Sequence, residues 1–308
     1  MISAVIREIA VPASISNLGP GFDALAVAVQ LYLRVRITHV RPHAPGDIEM
    51  VFIDEPPIGD NRIAAAFERA RAHAGGETPG LRVEVRSEIP QRAGLGSSAA
   101  AAIAGLKLYD AVAPTRPPAG VPGAPAIHDD LLTLATSIEG HPDNAAAALL
   151  GGIACGCQRE DGRVVASAWR WPETVRFVVA TPDVKVETGY ARSVLPASIP
   201  LRDAVFNLQR ALLLVRALET GRVDHIREAM RDRWHQTVRS RLVPALSEAL
   251  SLEHPGLLGV CLAGSGPSVV GLVTGHDDQI AAALAALYER LSVPCTIRRL
   301  SAHQPELG

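Results

Sequence analysis

The chain has 308 residues, 48% hydrophobic and 20% charged, which is ample material for a large core and excludes an intrinsically disordered polymer. Thirty Lys and Arg against thirty-two Asp and Glu leave a formal charge of −2 with no long basic run, so neither nucleic acid nor an anionic membrane is an expected partner. At this length two domains are a better expectation than one.

Residues 1–8 carry charge inside what would be a signal peptide's apolar stretch, and no segment approaches the ~20 apolar residues of a membrane span. A soluble, cytoplasmic protein is expected. Strand-like alternation runs over Val5–Val11, Phe22–Gln30, Leu33–Val40 and Ile48–Ile53. A helix follows from Asn61 to His73, closed by Gly75-Gly76, then a strand over Leu81–Arg86 and a buried, Ala-rich helix from Ser97 to Asp110. Pro114, Pro117, Pro118, Pro122 and Pro125 mark a loop over 114–125.

Helices over Leu131–Ile138 and Asn144–Leu150 lead to strands at Ile153–Cys157, Val164–Trp169 and Val175–Ala180. Beyond Asp183 the texture changes to amphipathic helices at Asp203–Glu219, Val223–Arg231 and Val243–Leu252. Strands Gly259–Leu262 and Ser268–Val273 around a Gly-rich turn, a helix at Asp277–Leu291 and a strand at Thr296–Leu300 complete the pattern, with no internal repeat. The order implies an α+β protein of two domains meeting near 155–180, taken as 1–160 and 161–308. Cys155, Cys157, Cys261 and Cys295 lack the paired spacing of a zinc site and read as reduced structural residues.

Four strings could carry chemistry. In Ile89-Pro90-Gln91-Arg92-Ala93-Gly94-Leu95-Gly96-Ser97-Ser98-Ala99-Ala100 a strand stops at a proline, and a small-residue helix begins after two glycines. Such a helix start offers free N–H groups to a phosphate, and the serines add hydroxyls for phosphate or Mg2+. A glycine turn that merely packs and caps a helix would use the same residues. Gly94-x-Gly96-x-x-Ala99 matches a dinucleotide fingerprint formally, but a proline-rich loop stands where that fold needs its acidic residue, and no Lys completes a Walker loop.

Glu139-Gly140-His141-Pro142-Asp143-Asn144 places metal-binding, proton-transferring and orienting groups between two apolar helices, where a plain polar turn is the competing reading. Pro12-Ala13-Ser14-Ile15-Ser16-Asn17-Leu18-Gly19-Pro20-Gly21-Phe22-Asp23 is a Gly/Pro turn carrying Asn17 and Asp23, and Leu262-Ala263-Gly264-Ser265-Gly266-Pro267-Ser268 is a second Gly-rich turn. Arg192 and Arg239 could each grip a carboxylate bidentately.

Together these strings resemble the GHMP kinases, a family of small-molecule kinases: Pro90-x-x-x-Gly94-Leu95-Gly96-Ser97-Ser98-Ala99 is similar to its phosphate-binding signature and 262–268 to its C-terminal Gly-rich motif. The resemblance narrows to the homoserine-phosphorylating members through 12–23, 139–144, Ala191-Arg192-x-x-Leu195-Pro196 and Asp232-x-x-His235-Gln236-x-x-Arg239. It implies an N-terminal domain like domain 2 of ribosomal protein S5, a ferredoxin-like C-terminal domain and an active site between them. It also implies ATP and Mg2+ as cofactors, small-molecule substrates and a possible homodimer. Carried over, Pro90, Gln91, Arg92, Ala93, Gly94, Leu95, Gly96, Ser97, Ser98, Ala99 and Ala100 bind ATP, and Ser98 and Glu139 hold the metal. Asn17, Asp23, His141, Arg192 and Arg239 bind the acceptor. Of the catalytic candidates His141, Asp143 and Asn144, the first and last are expected to orient the hydroxyl for direct transfer, with Asp143 as a base, the part an aspartate plays in mevalonate-type relatives, as the alternative. Ala145-Ala146-Ala147-Ala148, Ser265, Ser268 and Ile15 depart from the usual family residues without removing a charged group.

Overall fold

Alternating apolar residues early in the chain build one long hairpin. The protein, seen here as a computed structural model, is described for residues 7–42, 46–74, 77–113 and 127–306. The predicted strand start at Val5, the Gly75-Gly76 helix stop and the 114–125 loop lie outside the described residues. Strand β1 (Glu8–Ser16) pairs antiparallel with β2 (Leu25–Arg41), which runs 17 residues without interruption. The expected break after Gln30 is a bulge instead: Pro12 faces Tyr32 while Ala13 faces Val29, so Gln30 and Leu31 are extra residues that bend the strand without ending it. Leu25–Val29 is buried on both faces, and beyond it Leu33, Val35 and Ile37 point inward between polar neighbours.

β3 (Ile48–Phe52) and β4 (Gly80–Ser87) are parallel, joined by the crossover helix α1 (Arg62–Ala74). β5 (Ile153–Gln158) and β6 (Val164–Trp169) complete a sheet of order β3-β4-β2-β5-β6 with β1 alongside β2. Helix α2 (Ser97–Val112) lies against β1 and α1, and α3 (Ile127–Glu139) leads to α4 (Asp143–Leu150). Burial of Ala99, Ala100, Ala102, Ala104 and of Ala145–Ala148 explains the alanine runs: helices pressed from several sides need thin side chains.

The second sheet comprises β7 (Arg176–Pro182), β8 (Leu257–Leu262), β9 (Val269–Val273) and β10 (Cys295–Leu300), all antiparallel in the order β10-β7-β9-β8, the ferredoxin-like arrangement. Between β7 and β8 come α5 (Thr188–Ser193), α6 (Leu201–Thr220), a 3-10 turn at Val223–His225 running into α7 (Ile226–Ala229), α8 (Gln236–Arg239) and α9 (Leu246–Leu250). Helix α10 (Asp277–Glu289) joins β9 to β10. The predicted helices at 223–231 and 243–252 shrink to short turns, and α5 and α8 have no counterpart in the sequence reading.

Residues of β7 alternate between two cores. Phe177 and Val179 join the core of the first sheet, while Val178 and Ala180 pack with Leu284 and Tyr288 of α10. A division at 160/161 would cut the β5–β6 hairpin, since Gln158 pairs with Val164; the chain leaves the first sheet only after Trp169. Past Leu300 it returns there, with Ala302 bridging Val29 and the His303 N–H donating to Ala28 O at 2.9 Å. The two sheets are thereby joined both through β7 and through the chain's return after β10.

No described helix is long and apolar enough to cross a membrane. All four cysteines are free; burial raises the thiols of Cys155, Cys261 (to about 12) and Cys295 (to about 11), so these three keep their protons at neutral pH.

Candidate active site

The Gly-rich loop 90–96 closes the gap between β4 and α2. Gly94 and Gly96 have φ of 77° and 70°, and an added Cβ would lie 2.3 Å from Ala263 O in the first case and 2.1 Å from Ser14 Oγ in the second. Only glycine fits there, because the loop is clamped between β1 and the 263–266 turn. The first intrahelical bond runs from Ala100 N–H to Gly96 O at 2.9 Å, so the N–H groups of Ser97, Ser98 and Ala99 precede it and face the cleft with the positive end of α2. Ala93, Leu95 and Ala100 are buried and can offer only backbone, while Pro90 lies on the reverse side of the loop in a separate cavity.

Where α3 ends, Glu139 accepts a hydrogen bond from Ser98 Oγ at 2.7 Å, which sets two hard oxygen donors side by side. Gly140 turns the chain, and Asp143 opens α4. Asp143, 1% exposed, sits 2.7 Å from His141 Nδ1 and also accepts the Asn144 N–H at 2.8 Å. The hydrogen bond to Asp143 lifts the His141 pKa above its ordinary value, against the opposing effect of burial. Asn144 accepts from Ser14 Oγ at 2.7 Å and donates to Ser16 Oγ at 3.0 Å, so β1 fixes its amide through two buried serines. The sequence reading assigned neither serine a role; membership of the 12–23 string was their only signal.

The 17–24 turn supplies the opposite wall. Asn17, Asp23 and Arg92 all adopt left-handed backbone, with φ of 72°, 56° and 55°, and strain of this kind gathers where surrounding structure enforces a functional geometry. Asn17 accepts the Asp23 N–H and donates to Gly264 O, both at 3.1 Å. Its amide is engaged at both ends, which makes it a support for Asp23 more than a free substrate group.

Arg192 of α5 places Nη2 at 2.8 Å from each Asp23 oxygen. Arg239 of α8 is 3% exposed, and burial pulls its pKa down to about 10, still cationic at neutral pH. It donates through Nε to Ala191 O at 3.2 Å and through Nη1 to Gly264 O at 3.1 Å and His235 Nδ1 at 3.3 Å. The expected bidentate fork is therefore half used, and Nη2 is left for a ligand. Phe22 spaces the two cations, its ring 5.5 Å from the Arg192 Cζ and 5.4 Å from that of Arg239.

Asn17, Asp23, Gly94, Gly96–Ala99, Glu139, His141, Asp143, Asn144, Arg192 and Arg239 all line one cleft of about 310 Å³. A second cavity of about 250 Å³ opens from it, sharing Arg92, Ser97 and Ser98, and is walled by Phe52, Pro57, Ile58 and Val85. Gln91 braces this wall, accepting the Ile58 N–H at 2.6 Å and donating to Pro56 O at 2.8 Å. No contiguous motif announces the apolar wall, because three separate segments build it.

The family profile described as GHMP kinases N terminal domain matches residues 61–152, and that described as GHMP kinases C terminal matches 214–290. A homoserine kinase of Moorella thermoacetica is 37% identical over 94% of this chain and 95% of that protein. One from Thermus thermophilus is 37% identical over 90% of each. Among solved structures, homoserine kinase from Cytophaga hutchinsonii superposes with a TM-score of 0.81 at 24% identity, covering 99% of this chain and 98% of the other. A mevalonate kinase superposes at 0.68 with 17% identity over 97% and 99%, a likeness of fold. Identity at this level, spread over nearly the whole of both chains, means that the chain belongs to the GHMP kinases and, within them, to the homoserine kinase family.

Proposed function

We propose that the chain transfers the γ-phosphoryl group of ATP to the side-chain hydroxyl of L-homoserine, forming O-phospho-L-homoserine, a step of threonine biosynthesis. One observation carries the choice of acceptor: Asp23 and Arg192 lie side by side at 2.8 Å, with Arg239 in the same cleft. An α-amino acid bears its ammonium and carboxylate on one carbon and needs an anion and a cation so placed. A mevalonate-type acceptor has no amine and would leave Asp23 facing a like charge.

In this reading the second cavity receives the nucleoside and the start of α2 the triphosphate, whose charge the free N–H groups and Arg92 offset. Ser98 and Glu139 fit a hard divalent cation and would hold Mg2+, which neutralises phosphate charge when bound. His141 orients the acceptor hydroxyl, while Asn144, its amide taken at both ends by Ser14 and Ser16, supports the site; the hydroxyl oxygen attacks the γ-phosphorus as ADP leaves, the hydroxyl proton passing to a phosphoryl oxygen. Asp143 is buried beneath His141 and already accepts two N–H groups, so it serves as the histidine's partner and not as a free base. Phosphoryl transfer needs alignment and charge neutralisation more than a strong base. The reading carries with it a cytoplasmic setting, no nucleic-acid or membrane partner, and a homodimer by family resemblance.

Coupled ADP release with MgATP and a panel of homoserine, serine, mevalonate and 4-hydroxybutyrate tests the assignment. Homoserine is expected to turn over fastest; brisk turnover of another alcohol with none of homoserine overturns it. A pH profile tests His141. Because its pKa is raised, the cation persists up to that pKa, and turnover falls as pH climbs through it. Asp143→Asn removes the main raising influence, so the alkaline limb moves to lower pH. A limb that does not move excludes the His141 cation from the reaction.

A further inference from the structure

Asp232-x-x-His235-Gln236-x-x-Arg239 gives Arg239 to the cleft, yet His235 is wholly buried and has no part in the reaction outlined above. Its position is specific. His235 Nε2 lies 2.8 Å from Gly19 O, which can only accept, so Nε2 carries the proton. Nδ1 is then the bare nitrogen, and Nη1 of Arg239, which can only donate, approaches it at 3.3 Å. One neutral tautomer satisfies both contacts, and burial together with Arg239 favours the neutral form over the opposing pull of Asp232 and Asp23.

The backbone beneath is anchored as well. Asp232 accepts the N–H groups of Trp234, His235 and Gln236 at 2.9, 3.0 and 2.7 Å, and Asn207 donates to it at 2.6 Å. Gln236 accepts the Leu262 N–H at 2.8 Å, tying the same turn to β8. From the cleft side, Phe22 packs 5.2 Å from the imidazole. His235 therefore bridges two walls that come from opposite ends of the chain: the 17–24 turn with its anion, and α8 with its buried cation.

We propose that His235 is a positioning residue for the acceptor's carboxylate. By accepting from Nη1 while Ala191 O and Gly264 O take the other inward N–H groups, it turns Nη2 alone toward the cleft. Through Gly19 O it also holds Arg239 at a set distance from the turn that bears Asp23. Without it, Nη1 and Gly19 O each lose a partner, and the guanidinium is free to swing within the site. The inference rests on the reading that an amino acid is the acceptor, and its test separates the two.

His235→Phe keeps a ring and removes both hydrogen bonds, while His235→Gln keeps a donor and an acceptor. Two acceptors are compared: homoserine, and 3-amino-1-propanol, which is homoserine without its carboxylate. Loss of hydrogen bonding to a buried charge implies that His235→Phe lowers kcat/KM for homoserine about 10- to 100-fold, with 3-amino-1-propanol and the KM for ATP changed less than about twofold. His235→Gln recovers most of the loss. If the Phe variant fails to fold, the Gln variant is read alone, and its smaller loss must still fall on homoserine only. Equal losses on both acceptors, or none on either, overturn the inference and leave the proposed reaction intact. No turnover of homoserine by the unaltered chain overturns the reaction and the inference together.

Discussion

Asp23→Asn is expected to lower kcat/KM for homoserine about 10²- to 10³-fold while the KM for ATP changes less than about twofold, the scale seen when one partner of a close charge pair is removed. Asparagine keeps the size of the side chain and tolerates the left-handed backbone that Asp23 adopts, so the charge alone is lost. Asn17 still accepts the residue's N–H, which holds the turn in place. What disappears is the anion that would pair with the acceptor's ammonium, and Arg192 loses its partner in the free protein. The check is a comparison with 4-hydroxybutyrate, which has the hydroxyl and the carboxylate but no amine. Discrimination between the two acceptors should collapse in the variant. A variant that loses ATP affinity in step with homoserine, or keeps full preference for the amine, would remove Asp23 from the acceptor site.

Glu139→Gln is expected to reduce kcat about 10²- to 10³-fold, comparable to the loss of one transition-state charge stabiliser, with the KM for homoserine little changed. The amide still accepts from Ser98 Oγ, so the junction of α2 and α3 survives and thermal stability should stay near that of the unaltered chain. The defect should lie in the cation: a Mg2+ titration of activity should half-saturate at a higher concentration, and raised Mg2+ should recover part of kcat. A variant with normal kcat and an unchanged Mg2+ titration would show that Glu139 holds Ser98 for structural reasons only. Ser98→Ala should move the same titration in the same direction by less, since it removes a neutral oxygen where Glu139→Gln removes a charge.

Much of the candidate site was legible because its chemistry is local. The strand stop at Pro90, the two glycines and the serines at the head of α2 are neighbours in the chain, and their torsions and free N–H groups follow from that short stretch. The same holds for Glu139 to Asn144, where a helix end, a turn and a helix start occupy six residues. Elements were harder to read where one backbone event contradicted the period. Gln30 and Leu31 looked like a strand end, yet pairing with β1 carries the strand through them as a bulge, and only the partner's register reveals this. α5 and α8, of six and four residues, are too short to show a helical repeat, so the turns that aim Arg192 and Arg239 left no trace of themselves.

What the sequence by itself determined was the family, the two-domain α+β order, and the identity of the groups able to meet phosphate, metal, ammonium and carboxylate. These depend on residue type and short-range spacing, which a linear string preserves. Only the tertiary structure decided which of them are free to act. It joined Asp23 to Arg192, engaged both ends of the Asn17 amide, used half of the Arg239 fork on Ala191, Gly264 and His235, and built an apolar wall from Phe52, Ile58 and Val85. A hydrogen bond or a cavity wall between separate segments, up to 247 residues apart for Asn17 and Gly264, exists only once they are brought within a few ångströms, and nothing in either segment alone encodes that distance.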